Sequence, residues 1–580
     1  MIPKPRPDTI PHLVLANAKR FRDEPALLRR VGGAPKGAAW EMTTWGEYGA
    51  AVRRTAQAFI ASGIETGDRV AILSYNTPEW VIFNVAAMAI GAVPVGIYFM
   101  SSREEVADMM ERSQARIVLC QTEAHIQLID TDAHGAVELV IGIDEAPEGS
   151  ISWSEFLERS NDVDAEVIDD RLAAIRPDDP ATLIFTAVGR GEAVGVVLSH
   201  DNLIFASHSS VELFDVTKHD SALSYLPLSH VAEQIFTILA PAHVGYPVAF
   251  AQSLGRVRVD LLDIQPSIFF GVPLVWTGFE RALRKQIDGL EGAKARIARW
   301  AMRTSRGNIA ARNAGRRRSL YQKASMALAR RTFTNRAKQA MGFANIRLAF
   351  SGAATVNPTT LEYFSGINIP IREVYGLSEA TGPSSVTREG ATRFGTVGLP
   401  MPGVDITLAD DGEILIKARS VFLGYLDDED ATRNALRDDW LHTGDLGSIG
   451  DDGLLSITGR KKEIIITSGG KNVDPGPIED WLKQDPAILD AVVVGDGYDY
   501  LGVLASVAEG FAGDIEAARS HVESVVTGVN QRLSRAFHIR RVGLLSRPLS
   551  IENGERTDSG EIHRSTVVEH FAAEIETLYR

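Results

Sequence analysis

An acidic and a basic residue in the stretch 439–471 are the first candidates for chemistry in this chain. Asp445 stands in the segment WLHTGD and Arg460 in the segment GRKKE. A carboxylate can accept two hydroxyl hydrogen bonds from a sugar, and a guanidinium can fork onto ribose or phosphate oxygens. The pair therefore indicates a ligand site. A surface hairpin with solvated charges fits this stretch alone about as well, because short motifs have many chance matches.

Two short segments are expected to position these side chains. Residues 453–458 and 463–467 are apolar and β-branched, which is the pattern of strands, and the polar run GRKK between them is predicted to be a turn. A glycine pair, Gly469 and Gly470, follows. The stretch is thus predicted to be a short β-meander that joins two bodies, so that the ligand site lies on a hinge.

The same stretch resembles the hinge of the adenylate-forming superfamily, which contains acyl-CoA synthetases, luciferases and peptide-synthetase adenylation domains. The family pattern is W-x-x-T-G-D followed by G-R-x-K/D-E, and the chain carries both, at 440–445 and 459–463. The resemblance implies that Asp445 and Arg460 bind the ribose of AMP. It also implies that Lys462 is the pivot of the hinge.

Length and composition indicate a soluble protein of at least two domains, because 580 residues exceed what a single core usually supports. The single cysteine, Cys120, excludes a disulfide framework and fits a reducing compartment. The N-terminus lacks the apolar core of a signal peptide, and the apolar stretch 85–100 is too short and too interrupted for a membrane span. The expected location is the cytoplasm, with a peripheral position at the inner membrane face as the alternative.

Alternating helix and strand patterns in the first two hundred residues predict an α/β fold. The predicted elements are a helix, a strand, a helix and two strands, at 44–62, 69–74, 78–91, 93–98 and 117–120. Such alternation is typical of a parallel sheet covered by helices. With the resemblance, it predicts a large N-terminal domain of layered parallel sheets with helices and a small α+β C-terminal domain. We place the adenylate-binding and acyl-binding domain, the hinge and the mobile C-terminal domain at 1–459, 460–462 and 463–580.

The net charge of −15 hides a strongly basic segment at 281–342. The segment contains seventeen Lys or Arg residues against only Asp288 and Glu291, and its pattern predicts helices. A solvated helical insertion that balances an acidic body is the favoured interpretation. Contact with anionic lipid is the alternative, and it requires an aromatic and leucine face on a helix. Nucleic acid is not expected as a partner, because no base-reading module accompanies the charge.

Residues 183–202 match the position of the family's phosphate loop, whose usual form is T-S-G-T-T-G-x-P-K-G. Small residues in such a loop let backbone N–H groups converge on the ATP phosphates, while hydroxyl groups and a lysine add donors and charge. The chain matches this form at Thr186, Gly191 and Gly195 and departs from it at Ala187, Val188, Gly189, Arg190, Ala193 and Val194. Gly189 and Gly191 still permit close backbone approach, and Arg190 is a substitute donor for the phosphates, although the neighbouring Glu192 repels an anion.

Two further segments resemble family motifs for the base and the metal. The small residues SGAA at 351–354 suit the edge of a flat base, through Gly352 and Ala353. The segment YGLSE at 375–379 offers an aromatic ring for stacking, a hydroxyl for the α-phosphate and a carboxylate for Mg²⁺, on Tyr375, Ser378 and Glu379. An ordinary strand-to-helix loop capped by Ser378 is the alternative interpretation.

Other matches concern the acyl and thiol paths. The segment at 222–234 resembles the family's L-P-L-x-H block, in which His230 borders the acyl pocket. We assign His230 no proton transfer, because an isolated histidine is more often structural than catalytic. The resemblance also implies that the loop with Gly469 and Gly470 lines the thiol tunnel once the small domain rotates.

The C-terminal segment departs most from the family. Family members carry a segment like N-G-E-L-T-P-T-L-K-V-K-R, whose first lysine stabilises the carboxylate and α-phosphate during adenylation. The matching segment here is 553–564, and the lysine position falls on Glu561. No lysine occurs after Lys483, and Arg556 and Arg564 stand several residues from the matched position.

The amino-acid sequences of these motifs most resemble those of long-chain acyl-CoA synthetases of the bubblegum type. The resemblance implies ATP or AMP, Mg²⁺ and CoA as cofactors, with a fatty acyl substrate and CoA or another thiol as acceptor. Two degenerate motifs leave open whether the chain is an active ligase, so we expect acyl ligation with weak or absent adenylation. The alternatives are a pseudoenzyme or partner subunit that binds AMP, acyl-adenylate or acyl-CoA, and an enzyme that works only on the acyl-adenylate.

Overall fold

The computed structural model describes residues 9–31, 40–131, 135–187, 193–468, 472–508, 511, 514–557 and 560–580. The strands are β1 (Pro25–Arg30), β2 (Trp40–Thr44), β3 (Arg69–Leu73), β4 (Val93–Ile97), β5 (Ile117–Cys120), β6 (Leu139–Gly142), β7 (Ile151–Ser152), β8 (Pro180–Ala187), β9 (Ala193–Ser199), β10 (Ala222–Ser224), β11 (Val248–Phe250), β12 (Ile268–Phe270), β13 (Leu348–Ser351), β14 (Ile371–Leu377), β15 (Gly382–Val386), β16 (Leu399–Pro400), β17 (Asp405–Leu408), β18 (Glu413–Lys417), β19 (Gly424–Tyr425), β20 (Leu436–Arg437), β21 (Trp440–Ile449), β22 (Leu455–Arg460), β23 (Ile465–Ile466), β24 (Asn472–Val473), β25 (Ile488–Val494), β26 (Leu501–Val507) and β27 (Ile539–Leu544).

The α-helices are α1 (Ile10–Arg20), α2 (Trp45–Ala61), α3 (Pro78–Ala89), α4 (Arg103–Ser113), α5 (Glu123–Ile126), α6 (Trp153–Glu158), α7 (Glu166–Ala174), α8 (His200–Leu213), α9 (Val231–Gln234), α10 (Ala240–Val244), α11 (Val257–Ile264), α12 (Pro273–Asp288), α13 (Gly292–Asn313), α14 (Leu320–Ala329), α15 (Asn335–Ala340), α16 (Pro358–Gly366), α17 (Glu429–Ala435), α18 (Gly476–Leu482), α19 (Ile515–Asn530), α20 (Arg564–His570) and α21 (Ala572–Tyr579). The elements predicted between residues 44 and 120 lie within two residues of these bounds.

Two large, mainly parallel sheets form the N-terminal body. One has the strand order β19-β9-β8-β4-β3-β5-β6-β7 and the other β16-β15-β14-β13-β12-β10-β11-β1-β2. Their central strands are buried apolar runs, because helices such as α2 and α3 cover them, as parallel sheets require. The start of α2 is determined by the local sequence, because the Thr44 side chain accepts a hydrogen bond from the Glu47 N–H in a capping box.

A third sheet, in the order β17-β18-β21-β20 with β22 beside β21, leads to the C-terminal body. There β25, β26 and β27 form a small sheet with its own buried apolar residues, packed against α18, α19 and α21. The α/β class predicted from the sequence, with layered sheets and a smaller α+β C-terminal part, is confirmed.

The junction between the bodies differs from the predicted meander. β22 continues to Arg460, so half of the expected GRKK turn belongs to a strand, and a 3₁₀ turn follows at Lys461–Glu463. β23 does not continue the meander, because it pairs with β24 rather than with β22. β21 and β22 form one antiparallel pair and β23 and β24 form another, so the segment after Glu463 is separate from the β21–β22 hairpin.

The basic segment is helical, as predicted, and consists of the C-terminal part of α12 followed by α13, α14, a π-helical turn (Arg330–Thr334) and α15. One side of α13 packs on α16 and buries Ala298, Met302 and Ile309. Among the described residues, no helix has the length and apolar character needed to cross a bilayer.

Candidate functional site

A connected cavity of about 1640 Å³ lies between the large body, the third sheet and the C-terminal body. It collects predicted site residues from all three. Those in its wall are Thr186, His230, Gly352, Ala353, Ser378, Glu379, Asp445, Arg460, Lys462 and Glu561. Gly189, Arg190, Gly191, Gly469 and Gly470 lie outside the described residues, so their roles stay predictions.

The β21–β22 hairpin places Asp445 directly opposite Arg460. The Arg460 Nε donates to Asp445 Oδ1 at 3.3 Å. Burial raises the pKa of Asp445, and the charge of Arg460 counteracts that rise. The hairpin register thus presents a carboxylate and a guanidinium together at the cavity.

Tyr375 supports this pair from behind. Its side chain is buried and is not part of the cavity wall, and its hydroxyl donates to Asp445 Oδ2 at 2.9 Å. The structure therefore places this aromatic ring as a support for the carboxylate, whereas the sequence suggested a stacking surface. Its neighbour Gly376 does line the cavity, and a Cβ there would approach the carbonyl oxygen of Gly382 to 1.8 Å.

Glu561 reaches the same cluster from the C-terminal body. The Arg460 Nη2 donates to Glu561 Oε2 at 3.1 Å. Burial raises the pKa of Glu561, and the charge of Glu561 in turn raises the pKa of Arg460. Glu463 lies 3.8 Å from the guanidinium, so Arg460 has three carboxylates within 4 Å.

The two arginines nearest to Glu561 in sequence are engaged in other contacts. Arg556 pairs with Asp490 and donates to the Gly560 carbonyl oxygen. Arg564 pairs with Glu479 at 2.6 Å and donates to the Val493 carbonyl oxygen at 2.8 Å. Both guanidinium groups therefore pair with carboxylates of the C-terminal body, and neither forms an ion pair with Glu561, the position at which the resemblance leads us to expect a lysine.

Glu379 is the predicted magnesium ligand. The Tyr425 hydroxyl donates to Glu379 Oε1 at 2.8 Å, and burial raises the pKa of the carboxyl group. Among the described residues, no group of three or more His, Cys, Asp or Glu side chains is arranged to hold a metal ion. Mg²⁺ is commonly held by one or two carboxylates together with substrate phosphates, so a single carboxylate in the wall fits that mode of binding.

The backbone at 352–353 allows a flat group to come close. Ala353 has a φ of 70°, and a Cβ at Gly352 would lie 3.0 Å from the Val374 carbonyl oxygen and 3.3 Å from the Phe270 ring. A larger residue at position 352 would therefore need its neighbours to shift. Glycine at this position is therefore explained by packing within the protein, and the contact of Gly352 and Ala353 with a flat base stays a prediction.

One arm of the cavity is apolar. It runs between α8, the π-helical turn Ile235–Leu239 and the second sheet, and its wall includes Val211, Phe214, Ile235, Phe236, Phe270 and Phe350. His230 stands at this wall with its pKa lowered by burial, which favours the neutral ring. The arm is suited to a hydrocarbon chain, because an apolar chain there would be removed from water.

The residues predicted to form the hinge lie between β22 and β23. Lys461 pairs with Asp411 at 2.5 Å and with Glu413 at 3.1 Å, both in the third sheet. The carboxylate of Glu413 also accepts hydrogen bonds from the Gly444 N–H at 2.9 Å. These contacts tie the hinge to the large body next to Lys462.

Two polar side chains of the cavity wall illustrate what sequence reasoning missed. Tyr425, in the segment VFLGYL, lies at the wall and fixes Glu379. His563 also lines the cavity, and its buried Nε2 has no hydrogen-bond partner among the residues that the structure describes. A two-residue spacing from Glu561 was the available signal, because alternate residues of an extended segment point to the same side.

Comparison with known proteins agrees with this geometry. The family described as AMP-binding enzyme matches residues 14–426, and its C-terminal domain family matches residues 462–580. The long-chain-fatty-acid–CoA ligase FadD15 of Mycobacterium bovis is 33% identical over 565 residues, which cover 93% of this chain and 92% of that protein. Human long-chain-fatty-acid–CoA ligase ACSBG2 is 29% identical, with 99% of this chain and 92% of that protein covered.

Solved structures show the same fold. The anthranilate CoA ligase AuaEII in complex with anthranoyl-AMP has a TM-score of 0.74 at 16% identity, with 98% of each chain covered. A Mycobacterium tuberculosis fatty acyl CoA synthetase has a TM-score of 0.65 at 21% identity, with 97% of this chain and 98% of that chain covered. Layered parallel sheets joined to a small α+β body around one cavity define an adenylate-forming protein. The chain belongs to the AMP-binding enzyme family, and the resemblance to long-chain acyl-CoA synthetases is confirmed.

Proposed function

We propose that this chain acts on long-chain fatty acyl groups, that it binds AMP or acyl-adenylate, and that it forms the acyl thioester with CoA more readily than it adenylates a free fatty acid. The full family reaction is attack of a fatty carboxylate on ATP with loss of pyrophosphate, followed by attack of the CoA thiol on the acyl-adenylate. The fatty acyl and CoA specificity rests on the relatives and on the apolar arm of the cavity.

The ion pair between Arg460 and Glu561 carries the proposal. Adenylation brings a carboxylate to a triphosphate, so two anions must approach each other. A preorganised cation at that point stabilises the developing charge, and removal of one such donor typically costs about 10² to 10³ in rate. Here a carboxylate stands at the matched position, and the nearby guanidinium is shared by three acidic side chains.

Binding of a nucleotide makes a different demand. Asp445, which the Tyr375 hydroxyl holds from behind, would provide acceptors for ribose hydroxyl groups, and Arg460 would provide N–H donors. Glu379 would hold Mg²⁺ together with phosphate oxygens, and Ser378 would contact the α-phosphate. Gly189, Arg190 and Gly191 remain the proposed phosphate contacts of the preceding loop, with Thr186 at its start.

The second half-reaction requires movement at the hinge. We place the division at 460–462, with Lys462 as the pivot and with Gly469 and Gly470 on the thiol path. In the present arrangement, Lys461 forms ion pairs with Asp411 and Glu413. Glu561 forms a separate ion pair with Arg460. Rotation of the C-terminal body would separate Glu561 from the cavity, and the acidic side chain would no longer oppose the acyl-adenylate.

The decisive experiment compares the two half-reactions on one preparation. Fatty-acid-dependent exchange of pyrophosphate into ATP measures adenylation, and formation of hexadecanoyl-CoA from synthetic hexadecanoyl-AMP and CoA measures the second step. We expect the exchange rate to be at least 100-fold below the thioester rate. Equal rates would contradict impaired adenylation, and binding of AMP without either reaction would favour a pseudoenzyme or partner subunit.

Substitutions at one position identify the cause. Glu561→Lys is expected to raise the exchange rate by about 10² to 10³, while Glu561→Gln removes only the negative charge and should give a smaller gain. Glu552→Lys is the matched control, because Glu552 is exposed in the same C-terminal segment and does not line the cavity. An equal response of Glu552→Lys and Glu561→Lys would contradict the assignment of position 561.

A further inference from the structure

The helix α14 exposes large apolar side chains that the fold does not cover. Leu320 is 83% exposed, Tyr321 80% and Leu328 52%. Scattered single apolar residues are normal on a protein surface, but these three lie within one helix of ten residues. Their grouping indicates a function other than packing within the chain.

The exposed residues form one continuous side of α14. Leu320, Tyr321, Ala324, Ala327 and Leu328 are all exposed, and at 100° per residue they span an arc of about 120°. We call this set the α14 face. The other side of the helix turns inward with Met326 and Ala329, which are buried. The helix therefore has two apolar sides, one packed against the protein and one exposed to solvent.

Basic residues surround the α14 face. Residues 292–361 contain fifteen Lys or Arg residues and no Asp or Glu. Arg316 and Arg317 precede the helix, Lys323 flanks the face, and Arg330 and Arg331 follow it. All five are exposed, and in the part of the chain that the structure describes no carboxylate forms an ion pair with any of them.

An anionic bilayer surface satisfies both features. Aliphatic and aromatic side chains gain from burial at the boundary between headgroups and acyl chains, and cations beside them gain from the negative surface potential, about five-fold in partitioning per cation. A nucleic acid would pair with the cations but would leave Leu320 and Leu328 in water. The sequence alone did not separate these cases, because the exposed side of a helix in a packed protein is set by the fold.

We propose that the α14 face docks this protein on the surface of an anionic lipid bilayer, with Leu320, Tyr321 and Leu328 among the headgroups and the arginines at both ends of α14 on lipid phosphates. The docking is peripheral, and it goes beyond the proposed catalytic function. It does not depend on whether adenylation occurs.

Vesicle sedimentation with the full chain tests the proposal. The lipids are phosphatidylcholine alone and phosphatidylcholine with about 30% phosphatidylglycerol. We expect binding to the anionic vesicles at least 10-fold tighter than to the neutral ones, and weaker binding at high salt because screening reduces the attraction of the cations. Equal binding to both vesicle types, or no binding to either, would overturn the proposal.

Two sets of substitutions separate the apolar from the basic contribution. The triple variant L320S/Y321S/L328S should lose at least 10-fold in affinity at both low and high salt, whereas R316Q/R317Q/R330Q/R331Q should lose affinity mainly at low salt. Ile515→Ser is the control, since Ile515 is 71% exposed on the C-terminal body. Loss of anionic-vesicle binding in the control but not in the triple variant would assign the contact to another surface.

Insertion can be observed directly. Tyr321→Trp should be quenched by brominated lipid in anionic vesicles, whereas Ile515→Trp should not be. A competition experiment with a short RNA tests the alternative partner. If the RNA displaces the vesicles, and if the triple variant binds both RNA and vesicles as tightly as the original chain, then the surface binds through charge alone and apolar docking is wrong. Circular dichroism and thermal unfolding confirm that the variants fold, which their exposed positions favour.

Discussion

The cavity has one wall from the large body and third sheet and another from the C-terminal body, and their side chains differ in kind. The first wall presents Ser378, Glu379 and Asp445, with hydrogen-bond partners that hold the two carboxylates in place. The second presents Glu561 together with Arg556 and Arg564, and these two arginines are paired with Asp490 and Glu479. The residues that we propose to hold the nucleotide and the position that we propose to activate it thus belong to separate bodies, so one set can change without the other.

The largest expected effect concerns the C-terminal wall and is structural. Arg564→Ala removes the partner of Glu479, whose buried carboxyl group already has a raised pKa. An uncompensated buried charge costs about 3 to 5 kcal/mol, so we expect the free energy of unfolding to fall by that amount at pH 7. The loss should shrink at lower pH, where Glu479 takes up a proton. Urea denaturation measures both.

The control for this prediction is Arg433→Ala, which removes an exposed ion pair with Glu429 and Asp430. Its expected cost is within about 1 kcal/mol. If the two variants lose equally little stability, Arg564 is not committed to the C-terminal body, and the contrast between the two walls is weakened.

The second prediction concerns the first wall. Asp445→Asn replaces the carboxylate that Tyr375 and Arg460 hold, so AMP should bind about 10-fold to 150-fold more weakly, as expected for loss of a hydrogen bond with a charged group. Calorimetric titration with AMP measures the change. Asp452→Asn, at an exposed ion pair with Arg393, should bind AMP as the unmodified chain does. Unchanged affinity in Asp445→Asn would place the nucleotide elsewhere.

The third prediction tests the support behind that carboxylate. Tyr375→Phe removes one hydroxyl donor, and AMP affinity should fall about 10-fold or less. Because that hydrogen bond lowers the pKa of Asp445, its loss should raise that pKa and make AMP binding weaken sooner as the pH falls. Titrations with AMP at several pH values show whether the affinity of Tyr375→Phe falls at a higher pH than that of the unmodified chain. Tyr498→Phe, in the C-terminal body, is the matched control, and parallel curves would count against the supporting role.

The last prediction is a pH dependence of stability that arises at Glu373, a buried residue of β14. Burial raises the pKa of Glu373 to about 8. The folded form then holds the proton more tightly than the unfolded form, so the contribution to stability is complete below the unfolded pKa of about 4.5 and is lost as the pH rises through 8. We expect unfolding free energy to fall by up to about 1.4 kcal/mol per pH unit in this range, and Glu373→Gln should lack that slope.

Glu555 in the C-terminal body offers the opposite case. Burial disfavours its charged form, but hydrogen bonds from Arg547 and His570 lower its pKa to about 2. Its contribution is therefore present above pH 4.5 and lost as the pH falls through 2. We expect Glu373→Gln and Glu555→Gln to change the pH dependence of the unfolding free energy in opposite directions. Identical changes in the two variants would contradict the assigned pKa shifts.

Local patterns in the sequence were sufficient for the class of fold and for much of the first wall. Strand and helix periodicity placed five elements between 44 and 120 within two residues, because each pattern repeats over a few positions, but α4 in the same range was not predicted. The proximity of Asp445 and Arg460 was likewise predictable, since both belong to one hairpin. The β23–β24 pairing was missed, because two-residue strands carry almost no periodic signal.

The amino-acid order alone shows that position 561 is a glutamate and that none of the last ninety-seven residues is a lysine. Only the tertiary structure decided that Glu561 meets Arg460, that Arg556 and Arg564 are held by Asp490 and Glu479, and which side of α14 meets solvent. The physical reason is that residue type is local information. Ion pairs across a hundred residues and the exposure of a helix side depend on how separate elements pack, which no short pattern specifies.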